Sequence, residues 1–264
     1  MPDTTQAPEL LYEVRDNIGY ATFNRPHARN AMTFAMYARL VEIIGEINED
    51  RSIKALVLTG AGEKAFAAGT DISQFREFHT PQDALDYEAK IDGVLGKIET
   101  CRVPTIAAIS GACTGGGAGI AFSCDLRIGT ANARFGFPIA RTLGNCLSMS
   151  NYARLEGLIG AARTKDIIFT ARLVEAEEAK SVGMINEILP DTPALLARAE
   201  ALAKLVASHA PLTLQATKEA LRRLKEKASQ GMDKDLILMC YLSQDFREGM
   251  DAFLTKRTPV WKGE

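Results

Sequence analysis

Several features that would settle a function early are scarce in this sequence. Its five cysteines, at positions 101, 113, 124, 146 and 240, are odd in number and form no CxxC pair. That excludes a disulfide framework or zinc ribbon and fits a reducing compartment. Charge of one sign is lacking too: 31 basic against 33 acidic side chains leave a formal net charge of −2. No electrostatic case therefore exists for nucleic acid or an anionic membrane. The one basic cluster, Lys218 to Lys227, reads as the solvated face of a helix. The opening MPDTTQAPEL has no basic stretch leading into an apolar core, so no secretory signal is predicted and the expected location is cytoplasmic. Only Val103 to Cys124, VPTIAAISGACTGGGAGIAFSC, stays uncharged over a membrane-span length, 22 residues. Five glycines and several Ser, Thr and Cys within it point instead to a buried strand followed by a buried helix.

Around that stretch the chain reads as α/β. Leu10 to Arg15 and Ile18 to Phe23 predict a hairpin turning at Asp16-Asn17. Thr33 predicts the cap of a helix running to Glu49, with Phe34, Tyr37, Val41 and Ile44 on one face. Ile53 to Leu58 predicts a buried strand, Ala61 to Gly69 an irregular loop, Asp71 the cap of a short helix to Phe78, and Pro81 to Thr100 a longer helix. Thr105 to Ser110, Asp125 to Gly129, Ala133 to Phe137 and Met184 to Leu189 read as further strands, so a largely parallel sheet is expected. Leu195 to Val206, Pro211 to Lys227 and Met232 to Ser243 read as consecutive helices. The expected division is an α/β core over 1–190 and a helical region over 191–264, with Pro190 to Pro193 as the junction.

Two loops form a pair. Ala65-Phe66-Ala67-Ala68-Gly69-Thr70-Asp71-Ile72 and Gly111-Ala112-Cys113-Thr114-Gly115-Gly116-Gly117 each follow a strand and enter a helix. Each can present a backbone N–H at the same sheet edge, because the first turn of a helix has no internal acceptors for its N–H groups. Two such donors converging on one carbonyl oxygen make an oxyanion hole, in which one donor is worth about 3–4 kcal/mol in the transition state. The glycines could equally serve close strand–helix packing alone.

The segments TFNRPHARNAMT, ALVLTGAGEKAFAAGTDI, PTIAAISGACTGGGAGIAFSCDLRI, ARFGFPIARTLG and EGMDAFLTKRTPVW resemble, in order and spacing, the crotonase (enoyl-CoA hydratase/isomerase) superfamily. The resemblance implies a spiral of ββα units with a helical C-terminal trimerisation region, assembled as homotrimers or hexamers. It also implies acyl-CoA thioesters as substrates, coenzyme A entering as part of the substrate, and no permanently bound cofactor or metal. By that likeness the N–H groups of Thr70 and Gly116 hold the thioester oxygen. Arg25, Arg29, Ala31, Ala68 and Ile72 lie along the CoA, and Phe253 and Lys256 match positions that reach the CoA of a neighbouring subunit.

The departures bear on the reaction. The resemblance implies hydratase glutamates two residues after the triple glycine and directly after Pro138, yet those positions hold Gly119 and Ile139. Water activation and proton delivery to carbon are each worth about 10²–10⁴ in rate, and neither residue supplies them. The substitutes to weigh are Asp71, otherwise a helix cap; Glu77 and His79, otherwise a solvated loop; and Arg141 and Asn145, otherwise helix-start hydrogen bonding. Two other classes compete. One is a catalytically silent CoA-binding protein. The other is a cysteine-type α/β-hydrolase using Cys113 of G-x-C-x-G with His209, the only downstream histidine.

Overall fold

Alternating burial along IGYATF, antiparallel to LLYEVR, builds a hairpin of β1 (Leu10–Arg15) and β2 (Ile18–Phe23). Asp16 and Asn17 turn it with φ of 50° and 62°, the doubly left-handed turn that matches strand twist. The structure, a computed structural model, describes residues 7–226 and 234–262. The Thr33 hydroxyl accepts from the Met36 N–H and starts α1 (Phe34–Glu49). Its buried face is Met36, Tyr37, Leu40, Ile43, Ile44 and Ile47, rotated from the expected stripe so that Phe34 and Val41 are only half-buried.

From there the chain repeats one unit: a strand in a first sheet, a short strand in a second, then a helix. The first unit is β3 (Ala55–Gly60), β4 (Ala65–Ala67), a 3-10 helix over Ile72–Glu77, and α2 (Pro81–Glu99), which is capped reciprocally by Thr80 and Asp83. The second is β5 (Thr105–Ile109), β6 (Ala112–Thr114) and α3 (Gly116–Ser123). The third is β7 (Leu126–Thr130), β8 (Arg134–Gly136) and α4 (Ile139–Thr142). Then follow α5 (Met149–Thr170), kinked at Gly160, β9 (Val174–Glu175), α6 (Ala176–Ser181) and β10 (Glu187–Leu189). The helical end comprises α7 (Thr192–Ala207), α8 (Pro211–Glu226), α9 (Lys234–Tyr241) and α10 (Gln244–Thr255).

The first sheet runs β1-β2-β3-β5-β7-β10 and is parallel except for β1; the second runs β4-β6-β8-β9 and is parallel except for β9. The expected parallel sheet is thus two sheets, and the loop expected over Ala61 to Gly69 contains β4. On the far face of the first sheet, Leu195, Ala199 and Ala203 of α7 pack against Ile18, Val57, Ile106 and Ile128.

The basic stretch on α8 is only partly a solvated face: Arg223 is exposed, but two of the lysines turn inward. The Lys218 ammonium donates to Asp125 at 2.6 Å and to the Val103 carbonyl at 3.1 Å, and Lys225 pairs with Glu99. Lys227, and residues 232–233 of the expected last helix, lie outside the described residues. The sequence expectation also stopped short of α10. Among the described residues, no helix is long and apolar enough to cross a membrane.

Candidate active site

Thr70 behaves as a strand residue in a one-pair parallel bridge to Met32. The Met32 N–H donates to the Gly69 carbonyl (2.8 Å) and the Asp71 N–H to the Met32 carbonyl (2.9 Å). Because successive peptide groups alternate in direction, the Thr70 N–H points the other way, toward α3. Gly69, at φ 102°, makes the turn that allows this. On the facing loop Gly115 takes φ 51° as its N–H bonds Gly136 (3.0 Å), and Gly116 becomes the first residue of α3. A first-turn N–H has no helical acceptor, and among the described residues none faces the Thr70 N–H. A Cβ built on Gly116 would stand 3.5 Å from the Thr70 nitrogen. Two backbone donors therefore border one space, the arrangement that binds an oxygen carrying developing negative charge.

The Thr70 hydroxyl is tied on both sides, hydrogen-bonded to the Tyr37 phenol at 2.9 Å and to the Tyr87 phenol at 2.9 Å. Burial pushes both phenols well up, so they stay protonated. Glycine is required opposite: a Cβ on Gly116 would meet the Tyr37 oxygen at 2.1 Å, and one on Gly117 the Ala67 carbonyl oxygen at 2.2 Å.

The loop Arg25 to Ala31 lies against the Thr70 loop. Buried Asn30 donates to the carbonyls of Ala61 (3.1 Å) and Ala65 (2.7 Å), and the Ala68 N–H donates to Arg29 (3.1 Å). Arg25 is consumed structurally, donating to the Ala31 carbonyl (2.6 Å) and to Asp71 (3.1 Å). Arg29 is exposed, while Ala31, Ala68 and Ile72 are half-buried. Asp71 caps the 3-10 helix through Ser73. Burial raises its carboxyl, but Ser73 and Arg25 outweigh that and hold it below the usual carboxylate range. It is therefore a poor proton acceptor and belongs to the scaffold.

The other candidates scatter. His79 is exposed, its N–H capping α2 at Asp83 (2.8 Å); the Glu77 side chain lies outside the described residues. Arg141 is exposed on α4. Asn145 reaches the Tyr241 phenol, donating at 3.2 Å. Gly119 and Ile139 are both buried. Phe253 and Lys256 are exposed at the end of α10. The hydrolase alternative is corrected by geometry: Cys113 lies inside β6, is fully buried, and its thiol is pushed well up by burial. A nucleophile needs the opposite shift, and His209 is exposed beyond α7.

Residues that sequence reasoning passed over fill the space beside the paired loops. Phe75, Phe78, Tyr87, Tyr241 and Phe246 form one aromatic cluster, with neighbouring ring centres 4.7–6.3 Å apart. Within it Glu88 is 6% exposed and accepts from the Tyr241 phenol at 2.5 Å. A signal existed: Glu88 stands on the apolar stripe Ala84, Ile91, Leu95, Ile98 of α2, where an acid is anomalous.

Two stacked sheets wound as ββα units, with two strand-to-helix loops meeting beside α2, define a crotonase-fold protein. Residues 13–264 match the enoyl-CoA hydratase/isomerase family, and the chain belongs to it. It is 34% identical over 256 residues to the short-chain-enoyl-CoA hydratase of Clostridium acetobutylicum, covering 94% of this chain and 95% of that one. An enoyl-CoA hydratase/carnithine racemase from Magnetospirillum magneticum superposes with a TM-score of 0.79 at 31% identity, covering 98% and 97% of the two chains. A methylmalonyl-CoA decarboxylase in complex with 2-nitronate-propionyl-CoA superposes with a TM-score of 0.89 at 26% identity, covering 97% and 99%.

Proposed function

We propose that this protein is an enzyme of acyl-CoA thioesters that forms an enolate and holds its oxygen with the N–H groups of Thr70 and Gly116. The observation that carries the reading is the juxtaposition of those two unpartnered donors on loops whose one charged residue, Asp71, is paired with Arg25. A hole built of neutral, fixed dipoles favours a charge that appears only during reaction. The CoA moiety lies along Arg29, Ala31, Ala68 and Ile72, with Arg25 shaping that loop, and Phe253 and Lys256 serve the CoA of a neighbouring subunit. That the decarboxylase of similar fold holds an acyl-CoA with a delocalised anion supports the same use here.

Ordinary enoyl-CoA hydration is expected to be weak or absent, because Gly119 and Ile139 stand where the hydratase glutamates are expected and carry no acid or base. Isomerisation, decarboxylation or thioester cleavage needs the oxyanion site and at most one proton carrier. The active form is a homotrimer or a hexamer in the cytoplasm; exposed Leu212, Leu221 and Leu224 on α8 support an assembly surface there.

Mass spectrometry of a mixed acyl-CoA pool incubated with the protein tests the reading. The expected result is a mass or retention shift in at least one acyl-CoA, with crotonyl-CoA left unhydrated. Tight binding with no shift across the pool would make the protein a silent CoA binder, and crotonyl-CoA turnover at ordinary hydratase rates would refute the exclusion of hydration.

A further inference from the structure

The site has two oxygen-binding donors, yet Asp71 is neutralised by Arg25 and positions 119 and 139 are apolar, so proton transfer has no agent in it. One carboxylate stands close by. Glu88 projects from the buried face of α2, next in sequence to Tyr87, whose phenol touches Thr70. Its other wall is α9 and the loop before α5: Tyr241 donates to it at 2.5 Å, and the Asn145 amide donates to Tyr241 at 3.2 Å. Among the described residues the Asn145 Oδ1 is buried without a partner, leaving an acceptor for a ligand donor. A cavity of about 230 Å³ is lined by Tyr241 together with Phe78, Ala84 and Phe246. Ala84 is one helical turn before Glu88 on the same face.

A carboxylate taken out of water is costly unless it is hydrogen-bonded, and Tyr241 supplies such a bond to Glu88. Burial first, then the charge of Glu88 among other neighbours, raises the phenols of Tyr37, Tyr87 and Tyr241. The carboxylate thus bears on both phenols that hold the Thr70 hydroxyl.

We propose that Glu88 is the catalytic base of this enzyme, transferring a proton at the carbon next to the thioester carbonyl. The Cα–H bond breaks, its electron pair enters the enolate whose oxygen lies on the Thr70 and Gly116 N–H groups, and the proton forms the O–H of a Glu88 carboxylic acid. That acid returns the proton to the same carbon or to the γ-carbon, so no co-reactant is consumed. Tyr241 is a positioning residue that holds the carboxylate in place. The assignment rests on the enolate reading above.

The test is exchange of the α-hydrogens of phenylacetyl-CoA and vinylacetyl-CoA into D2O, followed by mass spectrometry, alongside the Kd of each compound. The unaltered protein is expected to exchange at least one of them. Glu88→Gln, which keeps the shape and an acceptor for Tyr241, is expected to lose about 10²-fold or more of the rate with Kd changed less than about threefold. Glu88→Asp keeps the charge but withdraws it by one methylene, and is expected to lose about 10- to 100-fold. Wild-type exchange by either folded variant overturns the assignment and leaves the enolate reading standing. No exchange by the unaltered protein overturns both.

Discussion

Replacing Gly116 with alanine puts a methyl group 2.1 Å from the Tyr37 phenol oxygen and 3.1 Å from the Thr70 hydroxyl oxygen. Comfortable contact needs about 3.5 Å, so the phenol or the helix start must retreat by about 1.4 Å. Neither has room: Tyr37 is fully buried, and the neighbouring Gly117 already packs on the Ala67 backbone. Overpacking of this kind costs about 1–3 kcal/mol, which for a domain of this size lowers Tm by about 2–12 °C. The offending atom is one hydroxyl, so removing it makes room. Tyr37→Phe alone gives up one hydrogen bond, about 1 kcal/mol, while Tyr87 still holds Thr70. In the double variant the methyl fits, and the total loss returns to about that of Tyr37→Phe alone. The cycle therefore carries a rescuing interaction of about 1–3 kcal/mol, as large as the overpacking itself. Thermal and urea unfolding at one fixed protein concentration measure it. A double variant whose loss is the sum of the two single losses refutes the argument.

Three further outcomes are expected. Cys113→Ala leaves any acyl-CoA activity intact, and iodoacetamide spares Cys113 in the folded protein, because the thiol is fully buried and inside β6; loss of activity with the fold retained contradicts this. Burial raises the Glu99 carboxyl, but Arg154 and Lys225 outweigh it and hold its pKa below the ordinary 4.5. A group lowered on folding stabilises above its unfolded pKa and loses that contribution as pH falls toward the folded value. Glu99→Gln leaves Arg154 only its longer contacts with Asp92 (3.5 Å) and Asn151 (3.4 Å), and is therefore expected to lower stability by about 1.5–3 kcal/mol at neutral pH. The gap to the unaltered protein closes below about pH 4.5, and parallel urea midpoints from neutral to acid pH would contradict it. Lys256→Ala is expected to weaken CoA affinity about fivefold, roughly 1 kcal/mol, without changing Tm by more than a degree or two, since the side chain is exposed; an unchanged Kd by calorimetry removes Lys256 from the CoA site.

What could be read from the sequence was local. The β1–β2 turn, the Thr33 cap of α1 and the start of α2 each announce themselves within a few residues, and the strands of the first sheet carry long apolar runs. The second sheet does not: β4, β6 and β8 have three residues each, and Ala65 of β4 pairs with Ala112 of β6, far along the chain. No periodicity can emerge from three residues. Lys218 looked like part of a solvated face because its partner Asp125 is 93 residues distant. The paired loops were legible as a pattern, whereas the hydroxyl network behind them was not. Tyr37 read as one more apolar residue on a helix face, and only the packed chain brings its oxygen to Thr70. Glu88 broke the stripe of α2 in plain view, but an acid on an apolar face gains meaning only from what faces it, here Tyr241 on the far side of the chain.

The wiring of Thr70 also bears on how the proposed oxyanion site would handle a negative charge. Its peptide plane is held from behind by the two bonds to Met32, and its side chain by Tyr37 and Tyr87. The helix start in front of it comes close because Gly116 has no side chain. A donor restrained on three sides does not reorganise when charge develops, and reorganisation is the main cost that water imposes on the same reaction. The phenols suit this task because burial raises their pKa values and keeps their protons on. Lysine or arginine at the same points would bring a full charge that binds the ground state as well, and uniform binding does not raise kcat. As the proposed base, Glu88 would oppose enolate formation while it carries its charge, but that opposition ends as it accepts the proton. On that assignment the negative charge passes from Glu88 to the oxygen proposed to lie on Thr70 and Gly116, and the pocket's net charge is the same before and after the step.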